Sequence, residues 1–223
     1  MHDDGKYYKV TQKFGVADRV LIAARNRIYK DFCEICRPAR GDSILDVGVS
    51  DVVNDASNVI ERDYPFRERI VAAGLGEGHD FRKAFPEIDY VRIADGSALP
   101  FQDRRFDVVV SNAVLEHVGS AENQRAFCAE LCRVGRRVFI TTPNRYFPVE
   151  HHTAIPFLHW SDSGFRWACR VTGNEAWADS RNLILMSRRR LVSRVEGLGT
   201  LSVGYTGFRA GPMSSNVFAY IVP

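Results

Sequence analysis

Apolar residues return along this chain in two rhythms. Over 16–36, Val20, Leu21, Ala24, Ile28, Phe32 and Ile35 recur at helical spacing, with Arg25, Arg27 and Lys30 between them. This predicts an amphipathic helix laid on one face of a sheet and ended by Pro38 and a turn at Arg40 and Gly41. Short apolar runs then alternate with helical stretches. Strands are expected over 43–47, 69–75, 90–94, 106–111 and 137–142, with helical segments over 52–64, 80–85 and 121–133. The run at 106–111 is β-branched through its centre, as in a strand covered on both faces of a parallel sheet. Such alternation argues a doubly wound α/β fold with right-handed crossovers. The last third differs. Residues 146–178 are rich in aromatics and His and read as an insertion after the fifth strand, and 187–196 reads as a basic helix. Residues 201–205 and 216–222 alternate well enough to close the sheet as an antiparallel pair. The first fifteen or so residues are expected to form an arm or short helix.

At 223 residues the simplest organisation is one domain over 1–223, with an N-terminal arm and helix over 1–40 and an insertion or lid over 144–186. The formal net charge of +3 is too small to imply nucleic acid or an acidic membrane surface as partner. No apolar run approaches a membrane span, and the N-terminus lacks the apolar core of a signal peptide. Five cysteines is an odd number for a disulfide framework, so reduced thiols in a cytoplasmic protein are expected. Cys33 and Cys36 have the spacing of a metal or redox pair, but no second pair stands at ligand spacing nearby. Buried helical thiols are the better reading, and no metal is expected. The oligomeric state is not legible.

The chemistry is expected where the strands end. Asp46 would be delivered by the first strand to the carboxyl edge of the sheet, and Gly48 would let the backbone approach a ligand there. A bare tight turn at Gly48 is the competing explanation for that stretch alone. Asp95 and Gly96 follow the third strand, Ser111 and Asn112 end the fourth, and Pro143 and Asn144 follow the fifth. Two carboxylates, an amide and exposed backbone on one edge suit a ligand with an adenine amine, ribose hydroxyls and a charged group.

Three phrases in order carry a family resemblance: Asp46-Val-Gly48; Asp95-Gly-Ser-Ala-Leu-Pro-Phe101; and Phe106-Asp-Val-Val-Val-Ser-Asn-Ala-Val-Leu-Glu-His-Val118. Together they resemble the class I S-adenosylmethionine-dependent methyltransferases, in the branch with D-x-L-P-F followed by L-E-H-V. The stretch from Ile140 to Thr153, with Leu158-His-Trp160, resembles a subgroup of bacterial methyltransferase-domain proteins. The resemblance implies a mostly parallel, seven-stranded Rossmann-like sheet with an antiparallel C-terminal strand, and S-adenosylmethionine as cofactor. It places Asp46 and Gly48 at the methionine and ribose end of the cofactor. Asp95 and Gly96 would lie at the adenine, and Ser111 and Asn112 near the sulfonium. Leu99 and Phe101 would pack the loop below. A carboxylate accepting from an exocyclic amine also makes independent sense of Asp95, against a solvated turn aspartate. Two departures stand out. Ser50 and Val52 replace glycines usual in the first loop, and Gly74 stands where an acidic residue usually grips the ribose. Glu77 could reach back to the ribose or be a solvated loop residue.

Methyl transfer needs alignment and removal of a proton. His117, just past the fourth strand, is the candidate base, as in some related enzymes, or else it shapes the start of the next helix. Within the insertion, Glu150, His151, His152 and His159 are interleaved with Tyr146, Phe147, Phe157 and Trp160. A substrate wall, a structural lid and a metal site are all readings, the metal weakest because adjacent histidines rarely share an ion. Arg145 could pair with an anionic substrate or make a plain salt bridge. Arg145, Tyr146, His151, His152 and Trp160 are therefore the candidate substrate residues. The expected function is O- or N-methylation of a small-molecule or glycan-like acceptor. The rival is a non-catalytic methyltransferase-like binding or scaffolding protein. A nicotinamide oxidoreductase would need a three-glycine fingerprint and an acidic end to the second strand, both missing.

Overall fold

A computed structural model describes residues 16–54 and 56–223, with side chains from residue 19 onward. The expected N-terminal arm lies outside the described residues. The sheet has seven strands: β1 (Ile44–Val47), β2 (Ile70–Gly74), β3 (Asp89–Arg92), β4 (Val108–Asn112), β5 (Val138–Pro143), β6 (Thr200–Ala210) and β7 (Met213–Val222), in the order β3-β2-β1-β4-β5-β7-β6. The first five are parallel, and β7 runs antiparallel to both β5 and β6. The order reverses between β1 and β4, where an open sheet parts to admit a ligand.

The helices are α1 (Val16–Cys36), α2 (Val59–Asp63), α3 (His79–Ala84), α4 (Ala121–Val134), α5 (Asp162–Val171), α6 (Glu175–Ala178) and α7 (Arg188–Val195). Serines start three of them. Ser120, Ser161 and Ser187 each accept a backbone amide three residues on, at 3.2, 3.0 and 3.2 Å, satisfying donors a helix start leaves over. The apolar stripe of α1 puts Ile28, Phe32 and Cys36 into a core with Ile44, Ile70, Val108 and Phe139. The opposite face of the sheet buries Leu45, Val109 and Ile140 against Phe127 and Leu131 of α4 and Leu191 and Val195 of α7. Strands covered on both sides have no solvent face, which is why β1 is buried throughout and β5 at all but its last residue. All five cysteines are free thiols, four of them buried.

The helix expected over 52–64 contracts to α2. Asn58 takes a left-handed conformation (φ 49°), and its side chain is spent on Ser50, accepting from its amide at 2.9 Å and donating to its carbonyl at 2.8 Å. That double bond holds 48–58 as a loop. Residues 155–185 build a small core of their own from Ile155, Phe165, Ala168, Cys169, Leu183 and Leu185. No helix among the described residues is long and apolar enough to cross a membrane.

Phe139 joins α1 to the sheet, meeting Phe32 edge-on at 5.9 Å and stacking on Phe218 at 5.6 Å. Phe139→Ala is expected to cost about 3–5 kcal/mol in urea unfolding; a loss below 1 kcal/mol would show that this contact is not central.

Candidate functional site

The carboxyl edge at β1 and β4 gathers charge that the strands themselves exclude. Asp46 is 7% exposed in β1, and Glu61 of α2 is fully buried beside it. Burial raises both carboxyls above the ordinary range, Glu61 to about 7; Glu61 raises Asp46 further, whereas Asp46 opposes the rise at Glu61. Arg25 of α1 lies close enough to this region for its charge to act on Asp46. Its Nε and Nη1 are shielded from solvent with no hydrogen-bond partner. Burial lowers its pKa, and the charges of Glu116 and Asp46 oppose that. Its place between the apolar residues of the α1 stripe gave no hint that it would point at the sheet edge.

Gly48 adopts φ 99°, and a Cβ there would collide with the Val114 side chain, so only glycine fits. Ser50 is tied to Asn58, and Asp51 caps α3, its Oδ1 accepting from the Asp80 and Phe81 amides at 2.9 Å each. Of the two replacements for glycine, Ser50 thus has structural work, while the Val52 side chain is exposed. At Gly74 a Cβ would lie 2.5 Å from the Tyr90 hydroxyl, which donates to the Gly76 carbonyl at 2.8 Å. Tyr90 fills the room an acidic side chain would need. Glu77 pairs with Arg92 at the surface, both side chains more than half exposed.

Asp95 is exposed in a tight turn, accepting from the Ser97 amide at 2.8 Å and the Ser97 hydroxyl at 2.5 Å. Those bonds lower its pKa, so it faces solvent as a carboxylate. Ser111 is corrected: it is fully buried, and its hydroxyl donates to the Val47 carbonyl at 3.0 Å. It ties β4 to β1 rather than bordering a ligand. Asn112 accepts from the Thr141 hydroxyl at 2.6 Å. Arg145 is likewise a structural cation, 6% exposed, paired with Asp162 at 2.9 Å and donating to the His159 and Trp160 carbonyls at 3.1 and 3.2 Å. A substrate anion would have to displace Asp162.

Beyond β4 a short 3-10 turn (Leu115–His117) presents His117 to the insertion. His117 Nδ1 lies 2.8 Å from the Asn182 carbonyl, and its Nε2 lies 3.2 Å from Nε2 of His152. His152 Nδ1 in turn lies 2.8 Å from Oε1 of Glu150. Residues from three separate stretches therefore form one chain, walled by Trp177 at 4.9 Å from the His152 ring and 6.0 Å from that of His117. Burial lowers His117, helped by the charge of His152, to about 4. Burial would lower His152 too, but its bond to Glu150 carries it upward. Glu150, buried yet bonded to His152, is held down at about 2. His151 is exposed, edge-on to His152 at 5.4 Å; Tyr146 and Trp160 are exposed nearby in sequence.

Residues 57–138 match the family model described as "Methyltransferase domain". Over that segment the chain is similar to methyltransferase domains. Its fold agrees. A SAM-dependent methyltransferase from Aquifex aeolicus aligns over all of both chains at 14% identity with a TM-score of 0.59. Magnesium protoporphyrin IX methyltransferase from Synechocystis PCC 6803, with bound SAH, aligns over 94% of this chain and 88% of its own at 11% identity and a TM-score of 0.60. A putative methyltransferase from Haloferax volcanii, in complex with the Trm112 activator, aligns over 92% and 91% at 12% identity and 0.60. No curated protein matches the chain in sequence.

The acidic pair at β1 sets a pH dependence. Glu61 holds its proton to about 7 rather than 4.5. Its contribution to stability is therefore full below pH 4.5 and lost as the pH rises through 7. Glu61→Gln is expected to flatten that slope and to add on the order of 1–3 kcal/mol at pH 8 in urea unfolding. An unchanged slope would exclude Glu61 as its source.

Proposed function

We propose that this methyltransferase binds S-adenosylmethionine across the carboxyl ends of β1 and β4 and methylates a hydroxyl or amine of a small-molecule or glycan-like acceptor beneath residues 144–186. The observation that carries this is Arg25, whose Nε and Nη1 are shielded from solvent without hydrogen-bond partners near Asp46 at the strand-order switch. A buried cation without a hydrogen-bonded partner is costly, and a ligand carboxylate would satisfy it. The cofactor's amino-acid end supplies one carboxylate for Arg25 and an ammonium for Asp46. Asp95, an exposed carboxylate, suits the adenine amine, with Gly96 and Asn112 beside the path between. Gly48 keeps the first turn free of a side chain. The filled space at Gly74 leaves the ribose without the usual acid, so Glu77 would serve there only by leaving Arg92. The fit is with the ends of the cofactor more than with its middle.

Bound there, S-adenosylmethionine supplies a methyl already activated on sulfonium. The protein's task is to position the acceptor and receive its proton. His117 does not stand alone for this, since its Nε2 faces His152; the pair acts as a unit at the end of β4. Tyr146, His151 and Trp160, with Phe157 edge-on to Trp160 at 5.3 Å, offer flat apolar faces interleaved with polar groups. That mixture suits a compact acceptor with hydroxyls.

Arg25→Ala and Asp95→Ala should each weaken S-adenosylmethionine binding about 10- to 100-fold by calorimetry, whereas Glu77→Ala should change it little. Unchanged affinity in Arg25→Ala would refute the carboxylate assignment. Transfer of labelled methyl is expected to small alcohols, amines or oligosaccharides, with a raised KM in Trp160→Ala. Label appearing only in protein or RNA would overturn the acceptor reading.

A further inference from the structure

The polar groups that cofactor binding does not use converge on one point. His117 and His152 face each other through Nε2 at 3.2 Å, and the other nitrogen of each ring is committed. The Asn182 carbonyl can only accept, so His117 carries its hydrogen on Nδ1. Glu150 accepts from the His152 and Thr153 amides at 2.9 and 2.6 Å and from the Thr153 hydroxyl at 2.7 Å. As a carboxylate it also accepts from Nδ1 of His152. Two imidazole lone pairs are thus aimed at each other unless a positive centre stands between them, either a proton or a metal ion.

A third group decides between these. The Glu116 side chain is 1% exposed, neither of its oxygens has a hydrogen-bond partner, and Oε1 lies 4.0 Å from Nε2 of His117. One ligand atom from each of Glu116, His117 and His152 falls within 4.8 Å of the others. A proton shared by the imidazoles would leave this buried carboxylate without a donor. A divalent cation satisfies all three groups.

We propose that Glu116, His117 and His152 form a binding site for one divalent transition-metal ion of the zinc class. Tetrahedral zinc with nitrogens at 2.0–2.1 Å separates them by about 3.3 Å, close to the spacing here. Two imidazoles and one carboxylate favour zinc, cobalt or manganese over magnesium or calcium. Glu150 and the Asn182 carbonyl are the outer partners that fix imidazole ligands in orientation, and Trp177 supplies an apolar wall. Three protein ligands leave a position for water or an acceptor oxygen, on the side where His117 keeps 21% of its side chain exposed. That the acceptor uses this position rests on the function proposed above; the metal site itself does not.

The test uses the full chain, stripped with chelator and without S-adenosylmethionine. Calorimetric titration with zinc chloride should show one equivalent bound with a Kd of roughly micromolar or tighter. Cobalt chloride should give visible bands of tetrahedral intensity. His152→Ala and Glu116→Gln should each weaken zinc about 100-fold or more, and Glu150→Gln about 10- to 100-fold. His79→Ala, at the exposed start of α3, should leave it unchanged. No binding by the wild-type protein at millimolar zinc, or equal binding by His152→Ala, overturns the proposal and assigns a proton to the gap. The cobalt spectrum of the wild-type protein reads the site even if a variant fails to fold. Because cofactor is absent throughout, a negative result leaves the proposed methyl transfer standing. Failure of cofactor binding likewise leaves the metal result untouched.

Discussion

A parallel strand buried on both faces has room for charge only where it ends. β1, β4 and β5 each begin on apolar residues and carry their polar ones, Asp46, Ser111, Asn112, Thr141 and Thr142, toward their carboxyl ends. Polar chemistry is thereby driven to the carboxyl edge, and the reversal of strand order between β1 and β4 opens the cleft there. Asp46, Glu61, Arg25 and Glu116 share a region with little water, which is why all four are perturbed by burial. Groups so placed are strained by their own desolvation in the free protein, and each is relieved by a ligand of opposite charge.

The insertion after β5 completes this edge and does more than cover it. Glu150 is the anchor. Its carboxylate accepts from four donors in its own turn, and this fixes the His152 ring against His117. Ile184 donates its amide to the Glu116 carbonyl at 2.8 Å, so the far end of the insertion is stitched to the same turn after β4. The segment's small apolar core (Ile155, Phe165, Leu183) keeps those two attachments together. Arg145, bridging Asp162 and two carbonyls, holds its root.

Departures from the family pattern in the first loops follow from packing. Ser50 and Asp51 serve Asn58 and the start of α3, and the Tyr90 phenol occupies the space beside Gly74. Binding strength usually drawn from a ribose-gripping acid has to come from elsewhere in this chain. In the function proposed above that part falls to Arg25, on a helix that precedes the matched family segment altogether.

Periodicity alone determined much of the architecture. The long first helix, five parallel strands and the closing antiparallel pair all lie where apolar spacing puts them, because burial of alternate or continuous apolar faces is a local property of the chain. The helix expected over 52–64 is the exception, undone by one asparagine whose side chain bonds eight residues back. Asp46, Gly48 and Asp95 were legible too, since strand ends and turns announce themselves in sequence. What only the tertiary structure decided are the meetings: Arg25 with Asp46, Glu61 beside Asp46, Ser111 turned inward, and Glu116 and His117 against His152 from a loop 35 positions away. Adjacent in sequence, His151 and His152 do not share the same surroundings in the fold. Folding instead sends one of the two outward and pairs the other with a turn on a different strand. Long-range proximity of charged groups carries no local periodicity, so no pattern along the chain could have shown it.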